Sequence, residues 1–197
     1  MKYMGLCLLL VLFLLSNQAH AVGFYIEPGI TYERGDNELD WPAPLSSSTG
    51  NQTGFGLNLK LGIHVNDVFF MGLDGSYSKP DFDNSATNYD AEAVSTTYGA
   101  ILGAQMPGIG LRIWGGYIFG GDLDPDKSGD VDLKFTGAHG PKVGLGFRIF
   151  FVSLNVEYMD LQYNESELQE AGPVTGTFDE DLKNKVGLIS VSIPLTL

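Results

Sequence analysis

The residues of this 197-residue chain that could do chemistry fall into three groups. The first is "DPDKSGDVD", which sets Asp124, Asp126, Ser128, Gly129, Asp130 and Asp132 at positions 1, 3, 5, 6, 7 and 9 of an EF-hand-like loop. Oxygen-bearing side chains at alternate positions around a glycine suit a hard divalent cation. No cofactor is expected, and a weakly bound calcium ion is the one alternative these residues offer. Position 12 of such a loop, where a bidentate Glu belongs, is Phe135. The second group is His139 with Ser128 and Glu157, the residue types of a lipid-hydrolysing site. No spacing signature joins them, and Gly140-Pro141 follows the histidine directly, so no enzyme activity is expected. The third group is Glu27, Lys60, Asp74, Arg112, Lys142, Arg148 and Glu157, each lying in a segment where polar and apolar residues alternate. Their chemistry is ion pairing, and its use depends on the elements that carry them.

Those elements are strands. In "TGFGLNLKLGIH" Phe55, Leu57, Leu59, Leu61 and Ile63 share one parity, while Gly54, Gly56, Asn58, Lys60, Gly62 and His64 share the other. A period of two with one clean apolar face is a strand signal. It recurs at 24–33, 69–78, 94–106, 110–119, 135–149, 150–158 and 186–197, giving eight candidate strands with 53–64. Short turns at 65–67, 107–108 and 149–151 alternate with long polar segments. The faces opposite the apolar ones combine charged residues with Gly54, Gly56, Gly62, Gly99, Gly103, Gly116, Gly144 and Gly146, which could not fill an apolar core. They suit a narrow polar lumen, so the large apolar side chains point out, towards lipid. The expected fold is all-β: an eight-stranded antiparallel up-and-down transmembrane β-barrel with short periplasmic turns and long extracellular loops. Pro28, Pro141 and Pro194 fall inside assigned strands, and each requires a bulge or a strand end.

The N-terminus is a separate element. Lys2 precedes "LCLLLVLFLL" (Leu6 to Leu15), then "SNQAHA", which ends on Ala19-His20-Ala21. This is the pattern of a secretory signal peptide, with a ten-residue apolar run against roughly 20 needed for a helical span. Residues 1–21 are expected to be cleaved, leaving 22–197 as a single barrel domain. The one cysteine, Cys7, lies in the leader, so no disulfide supports the barrel.

At this point the chain resembles the small eight-stranded outer-membrane barrels typified by the membrane domain of outer membrane protein A, and related porin-family small barrels. The resemblance covers about residues 22–197. It rests on the leader, on the glycine-rich alternation of "GFGLNLKLGIH" and "KVGLGFRIFFVSLNVEY", and on the terminal strand "LISVSIPLTL". It implies an integral protein of the bacterial outer membrane, a monomer, with a structural or surface-interaction role. A narrow-conductance channel is the alternative, and a lipid-modifying enzyme a more distant one. The last strand resembles the assembly signal read by the barrel-insertion machinery. No peptidoglycan-binding domain is expected after it.

Charge refines this expectation. The luminal parity carries Glu27, Glu33, Asp74 and Glu157 against Lys60, Arg112, Lys142 and Arg148. The excess of 24 acids over 11 bases therefore lies in the loops, notably 121–134 and 160–181. Ions in a narrow lumen lose hydration unless paired, so the third group is expected to form a salt-bridge network that plugs the barrel. Acidic loops make nucleic acid a poor partner. Lys79, Lys183 and Lys185 fall on the outward parity near the outer rim, where outer-membrane lipids and lipopolysaccharide phosphates are the expected partners. "LDWPAPLSSSTG" at 39–50 is expected to be an exposed tip.

Overall fold

A computed structural model describes residues 22–39, 47–84, 89–129, 131–171, 174–178 and 182–196. The leader, most of the 39–50 tip and Asp130 lie outside the described residues. The strands are β1 (Val22–Leu39), β2 (Ser48–Val65), β3 (Phe69–Asn84), β4 (Tyr89–Gln105), β5 (Leu111–Pro125), β6 (Val131–Thr136), β7 (Gly140–Ile149), β8 (Val152–Tyr163), β9 (Glu165–Ala171), β10 (Val174–Phe178), β11 (Leu182–Ser192) and β12 (Leu195–Thr196). Eight of them, β1-β2-β3-β4-β5-β7-β8-β11, pair antiparallel in that order, and β11 closes onto β1 with Tyr32 opposite Ile189. Closure leaves no unpaired edge in hydrocarbon. β6, β9 and β10 continue β7, β8 and β11 as a smaller sheet beyond the barrel's loop end.

Side chains divide as lipid requires. Phe24, Ile30, Phe55, Leu57, Leu73, Leu102, Ile113, Val143, Leu154 and Ile189 are exposed, whereas Glu27, Lys60, Asp74, Arg112, Lys142 and Glu157 are buried. Tyr32, Tyr77, Tyr98 and Tyr158 mark the upper end of the apolar band, because the next outward residues are Arg34, Lys79, Thr96 and Asp160. Three tight turns close the other end. Asn66 and Asp67 adopt left-handed φ of 55° and 53°, which these residue types tolerate, and Gly108 and Gly110 supply φ of 85° and 81°. Phe150, at φ 56°, is the less expected occupant of such a conformation.

Two expectations need correction here. The long polar segments are mostly strand rather than loop. β1 and β2 run 18 residues each, or ~60 Å at about 3.3 Å per residue, where nine to eleven would cross the membrane. The lumen is also not polar throughout. From the upper edge of the membrane band outward it is filled by Leu39, Phe82, Ile118, Leu123, Leu133, Phe135, Met159, Leu161, Tyr163, Leu182, Val186 and Leu188. A bulge in β5 contributes to this layer: Gly99 pairs with Ile118 and Tyr98 with Gly120, leaving Phe119 as the extra residue. Below it the even-numbered Arg112, Trp114 and Ile118 face in. Above it the buried residue is Leu123, flanked by the part-exposed Asp122 and Asp124.

The prolines occupy weak points of the ladder. Pro28 accepts from Ile193 N at 2.9 Å, and the reciprocal bond it cannot give falls where β11 stops and β12 has not begun. Pro194 lies in that same break, past the start of β8. Pro141 is the second residue of β7, one past Gly140 and the irregular stretch Gly137–His139, and faces out opposite Tyr117.

Candidate functional site in the barrel lumen

Strand register places the ionic residues on one level. Glu27, Lys60 and Asp74 stand side by side on β1, β2 and β3, so neighbouring strands alternate in sign. Glu157 on β8 and, one step up the wall, Lys142 on β7 project from the other side. Lys60 Nζ donates to Glu157 Oε1 at 2.6 Å and lies 3.8 Å from Asp74. Lys142 Nζ reaches Asp74 Oδ2 at 2.5 Å and also contacts Glu157. Arg112 grips Glu27 with both terminal nitrogens, at 3.0 and 2.8 Å, and donates to the Tyr25 hydroxyl as well. Ser192 donates to the same Glu27 carboxylate. Every member is at most 3 % exposed, so each charge is compensated in a site that excludes solvent.

Beneath this level the lumen is closed by rings. The Arg112 guanidinium lies 5.0 Å from Phe70 and 5.6 Å from both Tyr25 and Trp114. Such cation–π contacts strengthen when desolvated. His64 stacks on Phe70 at 5.5 Å and 19°. The Trp114 indole occupies the space that a Cβ on Gly144 would need, which is why that position carries no side chain. Above the ionic level Glu33 is buried with no basic partner among the described residues and accepts from Gln52 Nε2 at 3.0 Å. Gln52 in turn accepts from Asn184 at 2.8 Å, and the apolar layer follows.

The structure thus brings together Glu27, Lys60, Asp74, Arg112, Lys142 and Glu157, and leaves out Arg148. That residue shares the luminal parity but lies at the turn end, where its Nε donates to Phe150 O at 3.1 Å, so its charge stays near water. Tyr25 and Ser192 belong to the site and were missed. Luminal parity was the only signal they carried.

The other candidates separate. Asp124 lies within β5 and pairs with Lys134 at 3.4 Å, Ser128 donates to Asp90 O at 3.4 Å, and Asp132 lies within β6. Strands rather than one loop carry the ends of the proposed calcium motif, Asp126 is exposed between them, and Asp130 is outside the described residues. Among the described residues no group of three or more His, Cys, Asp or Glu is placed to hold a metal ion. His139 Nδ1 donates to Gly137 O at 3.1 Å, while Glu157 is committed to the lysines, so His139, Ser128 and Glu157 do not assemble. Lys79, Lys183 and Lys185 do face outward, but Lys183 and Lys185 stand opposite Glu38 and Asp36 across β1.

The family model described as an outer membrane protein beta-barrel domain matches residues 5–192. The chain belongs to that family. It is an outer-membrane protein of the bacterial envelope, and three solved barrels share its architecture. It is similar to Ail, the attachment invasion locus protein of Yersinia pestis, at 11 % identity over 87 % of this chain and 99 % of that one, with a TM-score of 0.50. It is similar to OprG of Pseudomonas aeruginosa at 13 % identity, covering 88 % and 96 %, with a TM-score of 0.51. It is similar to AlkL in lipid bilayers at 12 % identity, covering 92 % and 94 %, with a TM-score of 0.53. Identities this low carry the fold alone. Among curated protein sequences none matches this chain.

Proposed function

We propose that this outer-membrane barrel is a closed structural element that presents tall, acidic strands at the cell surface, and that it is neither a channel nor an enzyme. The observation that supports this reading is the succession of seals in one lumen: aromatic rings around Arg112, the paired ions, then an apolar layer. A permeating ion would have to part buried pairs, at a cost of about 3–5 kcal/mol for each charge left uncompensated. In this reading cleavage after Ala21 releases the barrel to the assembly machinery, and it resides as a monomer among outer-membrane lipids and lipopolysaccharide. Calcium has no part in it. Ail was solved with the heparin analogue sucrose octasulfate. The net charge of −13 here favours a partner of a different class from a sulfated polyanion.

Conductance tests the reading. Purified protein in planar bilayers is expected to give no unitary current above background. Discrete, reproducible steps would establish the channel alternative instead.

A further inference from the structure

Glycines divide into two kinds in this barrel. A Cβ on luminal Gly54, Gly62 or Gly99 would collide with the neighbouring strand's backbone, so the fold requires glycine there. Gly187 is different. It faces outward on β11, its backbone is ordinary, and an added Cβ would meet only Arg34 O at 3.7 Å. Nothing in the barrel's own packing calls for the missing side chain.

What the omission creates is a notch of about 570 Å3 in the aromatic girdle, flanked by Tyr32 and Tyr158 and topped by Arg34, Asp36 and Lys185. Ile189 and Val156 continue its floor downward into the apolar band. The notch is therefore amphiphilic along the membrane normal, apolar below and charged above, where Arg34 and Lys185 outnumber Asp36. Across the neighbouring strands Arg34 faces Thr53 and Gly187 rather than an acid. Lys185 is steadied between Asp36 and Asp160. The rest of the outer wall is unlike this. On β3 and β4, Lys79 is outnumbered by Asp81, Asp83, Asp90 and Glu92. On β1 and β11 Arg34, Lys183 and Lys185 instead outnumber the outward acids Asp36 and Glu38.

We propose that the Gly187 notch is a binding site for a phosphorylated lipid of the outer leaflet. The lipid phosphate lies on Arg34 and Lys185, the tyrosine rings flank its headgroup, and the first acyl segment fills the space over Gly187. Position selects this occupant: at the level of the girdle a lipid is the molecule that offers an anion above and hydrocarbon below. The proposal rests on lipopolysaccharide as a partner and deepens it by assigning the contact to Arg34, Lys185 and Gly187.

The test is native mass spectrometry of the micellar protein titrated with diphosphoryl lipid A, and in parallel with a diacylglycerol, which has acyl chains and no phosphate. Wild-type protein is expected to retain one lipid A, about tenfold more tightly than Gly187→Leu, which fills the notch and keeps the cations. Arg34→Gln, which keeps the notch, is expected to weaken retention to a similar degree. Lys79→Gln is expected to match wild type. All three substitutions are outside the lumen, and heat-modifiable gel migration checks that each barrel is folded. If Gly187→Leu and Arg34→Gln retain lipid A as well as wild type does, the notch is overturned while lipid A remains a partner. If wild type retains no lipid A, both ideas fall. Equal retention of the diacylglycerol would reduce the notch to an apolar gap and overturn the phosphate assignment.

Discussion

Glu157→Gln is expected to lower the unfolding free energy by about 3–5 kcal/mol, the range for breaking a buried ion pair from one side. The carboxylate takes Lys60 at 2.6 Å and also contacts Lys142, both at most 2 % exposed. Without it two buried ammonium groups must share Asp74, already 2.5 Å from one and 3.8 Å from the other. The amide keeps the shape and removes the charge, so the loss is electrostatic rather than steric. Urea titration of the barrel refolded in lipid vesicles measures it. The double variant Glu157→Gln, Lys142→Met removes opposite charges together and is expected to recover more than half of the loss. Arg148→Gln, whose charge lies at the mouth, is expected to cost under about 1 kcal/mol. A loss in Glu157→Gln as small as that in Arg148→Gln would show that the network is not what keeps the lumen shut.

The network also clarifies why the interior is ionic at all. A narrow eight-stranded barrel leaves space for side chains and little else, and its lining must include many glycines for neighbouring strands to approach. Few positions remain for large residues. Long charged side chains that meet at the axis fill the space between glycine-lined walls, and alternation of sign on β1, β2 and β3 lets them do so without repulsion. Trp114 against Gly144 is the aromatic version of the same solution.

The sequence made the membrane-spanning half readable because lipid imposes a single demand. Phe55 to Ile63 and Val143 to Ile149 keep apolar residues on one parity without interruption, and their charged companions could be assigned inward from that alone. The upper half was unreadable for a physical reason: once a strand leaves the bilayer, water lies outside it and the meaning of its two faces reverses. β11 shows this within 11 residues, with Leu182, Val186 and Leu188 facing in and Ile189 and Val191 facing out. The change of face at Leu188-Ile189 looks like a broken pattern in sequence. β3 does the same, with Leu73 and Tyr77 outward but Phe82 inward between Asp81 and Asp83. Those acids suggested solvated loop, whereas they are the wet face of a strand whose other face is a core. The calcium-like spacing hid the same change, since its outer aspartates, Asp124 and Asp132, belong to β5 and β6.

That reversal gives the second large effect. Phe135→Ala is expected to free the small outer sheet while the transmembrane barrel stays folded. The phenyl ring is fully buried, with ring centres 6.3 Å from Phe82 and 6.5 Å from Tyr163. β6 joins the barrel wall through only two ladder pairs, Asp122 with Thr136 and Leu123 with Phe135, so side-chain packing must supply most of its attachment. Truncating a buried Phe costs about 3–5 kcal/mol, enough to open a sheet held by so short a seam. Proteinase K is expected to cut the variant within residues 122–140 and 165–178 at concentrations that leave wild type intact. Heat-modifiable migration of the remaining core is expected to be unchanged. The control is Phe119→Ala, which removes an outward ring from the same region and leaves the inner layer complete. Equal protection of Phe135→Ala and wild type would mean that backbone pairing alone holds the upper sheet. The apolar layer would then be filling rather than an anchor.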